Sequence, residues 1–599
     1  MSDSETAAEP QSIAQRNEPQ SADERFSVTA LRNRPEAQVL IIGGGINGVG
    51  TFRDLALQGV DVALVERGDY CQGASGASSH MIHGGIRYLE NGEFRLVKES
   101  VQERNRLLKL APHYVKPLQT TIPIFSTFSG VLSAPLRFLT HKQQGKLKER
   151  GAFLIKLGLS IYDSFSRDGG SVPRHQFAAK ERALQELPWL NPNLKYAATY
   201  FDASVHNPER LTLDVLRDGV EAGSENGKAR ASNYLEVTGI DDAGVQLTDR
   251  LTGKQFSFRA PVIINASGAW TDLTNGALGE QSSFMGGTKG SHIVLDHPEL
   301  LAACGGRELF FEHTDGRIVL IYPMGDRVLV GTTDIDADIR NTESSICTDA
   351  EIDYFFDLIG HLFPDLPVTR EHIVYSFAGV RPLPRHDDAQ PGFVSGDYRI
   401  EQSTLPGAGE PVSMLSLIGG KWTTFRALSE HLADEALAKL GKKRKVSTAE
   451  LTIGGGADFP ETEEDVSAWL AALEGQARAA QIDEARARGL LNRYGSRAAQ
   501  VIGYLGQGVD SLLQATHELS TRELEYMVEQ EQVVHLIDVL IRRTSLAFRG
   551  LVSIELLEEI AQALSGPLSW DAQRAQEEVQ HAREVLETFH RVCVPQLIS

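Results

Sequence analysis

The stretch "VLIIGGGINGVG", Val39 to Gly50, joins an apolar strand to a glycine turn and to the start of a helix. Its glycines Gly43, Gly45 and Gly48 have the GxGxxG spacing of a dinucleotide-binding loop. The first allows a tight turn, the second lets an anion approach the backbone, and the third lets helix and strand pack closely. The helix N-terminus offers free N–H groups to a pyrophosphate. We therefore predict a nucleotide-binding strand–helix–strand unit here.

The segments that follow favour FAD over NAD as the cofactor. A second apolar run, "DVALVERG", ends at Glu66, about 20 residues beyond the loop, where a carboxylate can bind ribose hydroxyls. The next segment, "GDYCQGASGASSHMIHGG" (68–85), supplies small and hydroxylated residues instead of another regular βα unit. An apolar strand in "VIINASGAW" (262–270) returns to the sheet much later. Such a long excursion between two parts of one nucleotide fold is typical of two-domain flavoproteins.

Composition limits the class of protein. The chain has 599 residues and a net charge of −21, which argues against nucleic acid as a partner. Its four cysteines form no CxxC or Cys/His ligand pattern, so we expect no metal site and a reducing compartment. The polar N-terminus lacks the apolar core of a signal peptide. No run approaches the roughly 18 apolar residues of a membrane span, and we expect a cytoplasmic protein.

The fold class predicted is an α/β two-domain flavoprotein with a helical appendage. A Rossmann-like FAD-binding domain and a mixed-sheet substrate domain share residues 35–454, with the substrate part at roughly 112–205 and 280–380. Residues 1–34 are expected to form a disordered tail. Apolar residues three and four apart predict an all-α C-terminal domain over 455–599.

Six motifs in one order resemble those of the FAD-dependent glycerol-3-phosphate dehydrogenases: "IIGGGINGVG", "SSHMIHGGIRYLE", "KGSHIV", "VGTTD", "AGVRPL" and "GGKWTTFR". The later segment "STRELEYMVEQEQVVHLIDVLIRRT" is similar to that family's helical domain. The similarity runs from about Gln38 to the region of Arg543. It implies that sn-glycerol 3-phosphate is oxidised to dihydroxyacetone phosphate while FAD is reduced. In the aerobic, quinone-linked type of this family, a membrane quinone then reoxidises the FAD.

The resemblance also implies roles for side chains around the reacting alcohol. His83 and Lys421 are both candidates for the base, and the sequence does not choose between them. Arg381 is expected to bind the substrate at its phosphate or carbonyl side, and Arg87 to bind the phosphate. For His292, a structural role and a catalytic role stay equally open. The catalytic residues predicted are His83, Arg381 and Lys421; the substrate-binding residues predicted are Arg87, Tyr88, Arg381, Lys421, Thr424, His292 and Thr333.

The predicted FAD site combines the glycine loop with several later segments. Gly84 and Gly85 would let the backbone pass close to the isoalloxazine ring. The turn after an apolar strand at 413–417 would direct N–H groups at the electron-rich edge of the reduced flavin. The cofactor-binding residues predicted are Gly43, Gly45, Ile46, Asn47, Gly48, Glu66, Arg67, Ser75, Ser78, Ser79, His83, Gly84, Gly85, Ala266, Gly268, Trp270, Asp334, Gly419, Gly420, Lys421, Trp422 and Thr423.

Three segments depart from the family pattern. His80 stands where relatives often have lysine, so a permanent cation is absent there. The strand end reads "ASGAW" in place of "ATGPW", which changes stiffness more than chemistry. A segment that is often "DDAR" reads "HNPER" (206–210), close to the expected entrance of the cleft.

The expected partners are glycerol 3-phosphate, a quinone, the inner face of a membrane and a second copy of the chain as a homodimer. Membrane contact rests on a basic stretch beside the helical pattern "FLIKLGLSIYDSF". The opposing interpretation is a solvated basic loop beside a helix packed in the core. The basic residues are Arg137, Lys142, Lys146, Lys148, Arg150 and Lys156.

Other functions remain open at this stage. The same cleft would serve a glycerol-3-phosphate oxidase that passes electrons to O₂. An amine or amino-acid oxidase on the same fold would need an arginine for a carboxylate but no site of several cations for a phosphate. A flavin-binding scaffold without turnover is disfavoured by the joint presence of the glycine loop, His83, Arg381 and Lys421.

Overall fold

The computed structural model describes residues 25–86, 93–126, 152–166, 172–224, 227–313, 317–385, 397–405 and 411–594. The strands in these residues, in chain order, are β1 (Val39–Ile42), β2 (Val62–Val65), β3 (Met81–Ile82), β4 (Val115–Ile124), β5 (Gln176–Ala179), β6 (Tyr196–Val205), β7 (Ala229–Ser232), β8 (Leu235–Asp241), β9 (Gly244–Asp249), β10 (Gln255–Phe258), β11 (Val262–Asn265), β12 (Thr288–Leu295), β13 (Glu308–Glu312), β14 (Ile318–Met324), β15 (Arg327–Gly331), β16 (Ile335–Asp336), β17 (Ile373–Arg381), β18 (Arg399–Leu405) and β19 (Val412–Ile418).

The α-helices of the first three quarters of the chain are Phe26–Asn33, Ile46–Leu57, Phe94–Leu110, Ala152–Ser166, Lys180–Glu186, Pro208–Ala222, Thr271–Ala277, Pro298–Ala303, Asp349–Leu362 and Phe425–Lys439. Those of the C-terminal part are Glu463–Ala472, Glu474–Ala479, Glu484–Tyr494, Ala498–Leu505, Thr521–Glu531, Leu536–Asp538, Ile554–Ser565 and Ala572–His590. Within the described residues, no helix combines the length and the apolar character needed to cross a bilayer.

The nucleotide sheet is parallel over five strands. Its order is β18-β19-β11-β1-β2-β7, and β18 is an antiparallel edge strand. The glycine loop therefore follows the central strand β1, between the carboxyl ends of β11 and β2, where ligands bind in open α/β sheets. Helices 46–57, 208–222 and 425–439 pack their apolar faces against these buried strands. This arrangement confirms the doubly wound part of the predicted fold class.

The second large sheet is mixed and has ten strands within the residues that the structure describes. Its main order is β16-β12-β15-β14-β13-β4-β6-β3, while β17 pairs with β12 and β5 pairs with β6. Helix 349–362 covers one face of β12, β14 and β15. The C-terminal helices cover the other face, where Tyr375 and Phe377 of β17 join the same apolar core as Leu536 and Leu586. The all-α part therefore completes the core of the mixed sheet.

The N-terminal tail corrects one prediction. Disorder was expected as far as residue 34, but Phe26–Asn33 is a helix whose Val28 and Leu31 are buried. Arg25 stabilises the N-terminal end of this helix, because its guanidinium donates a hydrogen bond to the carbonyl of Asn233 at 2.7 Å. The composition of the segment hid this helix because its stabilising contacts lie some 200 residues away, beyond any local pattern. Residues 1–24 lie outside the described range.

A buried ion cluster joins the nucleotide sheet to the C-terminal helices. Asp69, fully buried after β2, accepts hydrogen bonds from Arg543 at 2.6 and 3.0 Å and from Arg542 at 2.5 Å. Asn233 donates to the same carboxylate at 2.9 Å. Burial alone would raise the pKa of Asp69, but the two guanidinium groups hold it well below its ordinary value. The cluster is ionised and paired at neutral pH.

Replacing Asp69 with Ala should lower the free energy of unfolding by about 3–5 kcal/mol, because two buried guanidinium groups lose the carboxylate that they share. Urea titration monitored by circular dichroism measures this change. Glu474→Ala is the matched control, since it removes only the exposed ion pair with Arg478 and should cost less than about 1 kcal/mol. The carboxylate's contribution is present above its unfolded pKa of roughly 4 and is lost as the pH falls. Equal stability of both variants would contradict a structural role for the cluster.

Candidate active site

Two of the three motif glycines leave no room for a side chain, and this lets the glycine loop close. Gly43 has φ +116°, and a Cβ there would lie 2.5 Å from the carbonyl oxygen of Ala266 at the end of β11. A Cβ at Gly48 would collide with the carbonyl oxygen of Gly43. Gly45 is different, since a Cβ there would meet only the hydroxyl of Ser75, at 3.1 Å. Gly43 and Gly48 therefore shape the loop, and Gly45 keeps the space above it open.

The residues at the loop fit a dinucleotide. Helix 46–57 begins at the N-cap Gly45, whose φ of −76° and ψ of 172° are ordinary for any residue. The Ile46 N–H donates to Ser75 Oγ at 3.0 Å, which draws the small-residue segment over the helix end. Asn47 Oδ1 is buried without a hydrogen-bond partner among the described residues. An unsatisfied buried oxygen beside a helix N-terminus suits a ligand that supplies both donors and negative charge.

Glu66 closes the nucleotide end of the site. Its carboxylate accepts from the Gly44 N–H at 2.7 Å and from the Gly68 N–H at 2.8 Å. These two bonds fix its direction, and burial raises the pKa of Glu66 above its ordinary value. Arg67, the next residue, lies over the ring of Trp270 with its guanidinium carbon 4.9 Å from the ring centre. A cavity of about 3290 Å³ continues from this loop to Pro382 and Gly419.

The turn after β19 contacts both the glycine loop and the segment around His83. The indole N–H of Trp422 donates to the carbonyl of Ser75 at 2.9 Å. The Thr423 hydroxyl accepts from the His83 N–H and donates to the His83 carbonyl, both at 3.1 Å. Thr424 is buried at the start of helix 425–439. The structure thus brings together residues that the sequence separates by more than 300 positions.

Lys421 lies in the same turn, between Gly420 and Trp422. Burial lowers the pKa of Lys421 to about 7, although Glu93, Asp397 and Glu99 act in the opposite direction. A group with this pKa exchanges a proton near neutral pH, whereas an ordinary lysine stays charged. The turn therefore offers an amine that can act as a base.

Arg381 is the last residue of β17, and its side chain is held in place by hydrogen bonds to the "VGTTD" segment. Its guanidinium is hydrogen-bonded to Asp334 and donates to Thr332 Oγ1 at 2.9 Å and to the Thr333 carbonyl at 3.2 Å. A side chain at Gly290 would collide with this guanidinium, so the glycine of "KGSHIV" keeps its path free. Arg381 stays partly exposed, with 29% of its side-chain surface accessible. It is a permanent cation that is held in place and still reachable from solvent.

His292 lies between the substrate sheet and the cofactor segment. Its ring stacks on Phe377, with centroids 4.7 Å apart, and Nε2 is 2.9 Å from the hydroxyl of Ser79. Burial first, and then the charge of Arg381 and the neighbouring His80, lower the pKa of His292 well below its ordinary value. The imidazole is therefore neutral at working pH, and its contacts support the structural interpretation over a proton-transfer role.

Two residues of the "VGTTD" segment that were predicted to bind ligands have protein partners, and their predicted roles stay predictions. Thr333 was predicted to bind substrate, but its buried hydroxyl donates to Glu351 at 2.7 Å and accepts from the Ser291 N–H at 3.0 Å. Asp334 was predicted to bind the cofactor, but its carboxylate pairs with Arg381. Thr332, which was not among the predicted site residues, accepts a hydrogen bond from Arg381.

Other predicted residues are placed as follows. Ser78 Oγ accepts from the His80 N–H at 3.3 Å. Gly84 donates its N–H away from the cofactor segment, to Tyr162 and Asp202. Arg87 and Tyr88 lie outside the described residues, as does most of the basic stretch before residue 152. Their predicted roles stay predictions.

Comparison with known proteins agrees with this geometry. A family model described as FAD dependent oxidoreductase matches residues 38–413, and one described as the C-terminal domain of alpha-glycerophosphate oxidase matches residues 446–575. A glycerol-3-phosphate dehydrogenase of Synechocystis is 31% identical over 602 residues, covering 94% of this chain and 99% of the relative. The chain belongs to the family of FAD-dependent glycerol-3-phosphate dehydrogenases. The family description confirms FAD as the predicted cofactor.

Further similarities extend along the whole chain of this family member. The aerobic glycerol-3-phosphate dehydrogenase of Bacillus subtilis is 28% identical over 572 residues, covering 93% of this chain and 95% of the relative. The crystal structure of glycerol-3-phosphate dehydrogenase from Bacillus halodurans complexed with FAD superposes with a TM-score of 0.70. That pair is 24% identical and covers 97% of this chain and 99% of the other. The superposition confirms the fold, including the helical C-terminal part.

Replacing Gly45 with Val should abolish FAD retention and leave the apoprotein folded. The backbone angles at Gly45 suit any residue. Apart from the contact with the Ser75 hydroxyl, the valine would therefore fill the space that a pyrophosphate needs. The ratio of absorbance at the flavin and protein bands measures retention, and thermal melting of the apoprotein measures folding.

Gly48→Ala is the control for this experiment. Its Cβ would collide with Gly43, so it should lower the melting temperature of the apoprotein as well as FAD retention. A yellow, FAD-loaded Gly45→Val protein would refute the loop assignment.

Proposed function

We propose that this protein oxidises sn-glycerol 3-phosphate to dihydroxyacetone phosphate and passes the electrons to a quinone. The relatives that cover nearly the whole chain are named glycerol-3-phosphate dehydrogenases. The observation that carries the proposal is that two basic residues of the family motifs have different chemistry, one a titratable amine and the other a guanidinium held by hydrogen bonds. Lys421 has a pKa of about 7, and Arg381 is a fastened permanent cation. A phosphorylated alcohol needs both a base and a cation.

The reaction removes a hydride from the alcohol carbon and a proton from its hydroxyl. FAD, when bound, supplies the hydride acceptor. In this proposal the neutral amine of Lys421 takes the hydroxyl proton, and Arg381 binds an oxygen of the anionic substrate through its planar fork. His83 remains the other candidate base, and its backbone is fixed two residues from Lys421 through Thr423. Asp334 and Thr332 keep Arg381 extended before the substrate arrives.

The electron acceptor has two candidates. Names of relatives that include the word aerobic support a respiratory quinone. The match of residues 446–575 to a domain named after alpha-glycerophosphate oxidase supports O₂. We retain the quinone, together with a cytoplasmic location at a membrane surface, as the proposal. Helix 152–166 buries Leu159 and Tyr162 against the mixed sheet, so membrane contact would have to use other residues.

Anaerobic mixing with glycerol 3-phosphate tests substrate and acceptor in sequence. The flavin absorbance should bleach on adding the substrate and return on adding a soluble quinone. A flavin that stays oxidised would refute the substrate. Fast return with O₂ and slow return with quinone would replace the proposed acceptor by oxygen. Glycerol without the phosphate is the control, and it should bleach the flavin much more slowly.

Lys421→Arg should lower kcat by about 10²–10⁴, because the arginine keeps the charge but cannot accept a proton at working pH. In the wild type, kcat/KM should rise with pH up to about 7 and then level off, since the neutral amine is the reactive form. The variant should lose this rise. His83→Asn is the comparison. If His83 is the base, the rise will persist in Lys421→Arg and vanish in His83→Asn.

Arg381→Ala should lower kcat/KM for glycerol 3-phosphate by roughly a hundredfold, since losing a charge-assisted hydrogen bond costs about 3 kcal/mol. Arg381→Lys should recover part of the loss, because it restores the charge without the planar fork. Arg478→Ala, at an exposed arginine with 80% of its side chain accessible, is the control. Unchanged kinetics in Arg381→Ala would remove this residue from the site.

A further inference from the structure

The amide of Gly84, next to His83, is held by a buried cluster outside the cofactor segments. Its N–H donates to Asp202 Oδ1 and to Tyr162 Oη, each at 3.0 Å. Asp202 belongs to β6, and the pairing of Met81 with Ser204 and of Ile82 with Ala203 brings it opposite His83. Both acceptors are almost fully buried. Beyond the end of β3, the backbone therefore stays attached to β6 through the side-chain carboxylate of Asp202, in place of a backbone carbonyl.

Arg104 completes this cluster. Its Nη1 group donates to Asp202 Oδ1 at 2.9 Å, to Tyr162 Oη at 3.0 Å and to the carbonyl of Phe201 at 3.0 Å. The Tyr162 hydroxyl in turn donates to Asp202 at 2.5 Å. Arg104 is fully buried, so the ion pair is formed without access to solvent. We call Arg104, Tyr162 and Asp202 the Asp202 cluster.

The same backbone is held from its other side by Thr423. One hydroxyl accepts from the His83 N–H and donates to the His83 carbonyl. Thr423 is two residues from Lys421, in the turn that follows the nucleotide sheet. The segment that carries His83 is thus fixed to the mixed sheet by Asp202 and to the nucleotide sheet by Thr423.

Gly84 has no room for a side chain on the face toward the cluster. A Cβ there would collide with the hydroxyl of Tyr162 and would lie 2.6 Å from a methyl group of Val101. The first of the paired glycines is therefore required by the Asp202 cluster. Close approach to a flavin was the reason expected from the sequence, and the packing supplies a different one.

We propose that Asp202, with Tyr162 and Arg104, is a positioning residue that fixes the His83–Gly84 backbone relative to Lys421 for the oxidation. A buried ion pair adds little net stability compared with apolar packing, so its presence is poorly explained by stability alone. Directed hydrogen bonds from one backbone N–H, by contrast, fix a position. The kinetic consequence rests on the proposed function, whereas the fixation of the backbone does not.

The test compares three variants of the FAD-loaded protein. Tyr162→Phe removes one acceptor of the Gly84 N–H and keeps the ring. Asp202→Asn removes the charge and keeps the shape. Tyr200→Phe is the matched control, because its buried ring packs edge-on against Tyr162 at 5.9 Å while both acceptors of Gly84 stay intact. Hydrogen exchange of the peptide that spans residues 81–86 is measured together with the rate and substrate dependence of anaerobic flavin reduction.

Exchange in residues 81–86 should accelerate about fivefold in Tyr162→Phe and about tenfold or more in Asp202→Asn, with no change in Tyr200→Phe. The limiting rate of flavin reduction should fall by roughly 10–100-fold, because misplacement near the reacting atoms is costly. The glycerol 3-phosphate concentration at half-maximal rate should stay within about twofold, since a positioning residue does not bind the substrate.

Unchanged exchange in residues 81–86 of Tyr162→Phe would overturn the proposal. So would a uniform acceleration of exchange along the whole chain, which indicates a purely structural cluster. If Asp202→Asn does not fold, Tyr162→Phe decides alone. Failure of the wild-type flavin to be reduced would refute the proposed function, and the exchange arm would then still decide whether the cluster fixes this backbone.

Discussion

The close contact between the helix of the glycine loop and the backbone of Gly43 is the constraint on which the site depends. It needs a bare Cα at Gly48, and Gly43 in turn needs a bare Cα against Ala266. These clearances set helix 46–57 against β1 and β11, so that Ser75 can reach the Ile46 N–H. The later segments of the site then pack against a surface whose shape is already set by helix 46–57, β1 and β11. A single methyl group at Gly48 would disturb all of them.

Local signals were sufficient for the elements that build this surface. The strand at β1, the glycine spacing and Glu66 are contiguous patterns, and the structure has them as the sequence predicts. The roles of Thr332 and Thr333 were not readable in the same way. They depend on the pairing of β12 with both β15 and β17. They also depend on Glu351, whose carboxylate accepts a hydrogen bond from the Thr333 hydroxyl. Register between distant strands is a tertiary property that local spacing does not encode.

The two basic residues of the predicted site, Arg381 and Lys421, owe their different chemistry to pairing in one case and to burial in the other. Arg381 cannot lose its proton, so it is compatible with partial burial only beside the carboxylate of Asp334. Lys421 is desolvated by its surroundings, which lowers its pKa to about 7 even with Glu93, Asp397 and Glu99 nearby. Burial and pairing therefore produce a permanent charge at one place and a titratable amine at another. The net charge of −21 makes such local arrangements necessary for an anionic substrate.

The two candidate bases, His83 and Lys421, are connected through the backbone contacts of Thr423. His83 and Lys421 lie more than 300 positions apart in the sequence, yet Thr423 bonds to the His83 backbone and is adjacent to the lysine turn. A displacement of either residue would therefore be transmitted to the other through one hydroxyl. The positions of His83 and Lys421 therefore depend on each other. Lys421 has the pKa of a base, and the backbone of His83 is held by hydrogen bonds. Effects of mutations at the two positions should then be coupled, because residues that share a bond network are not independent.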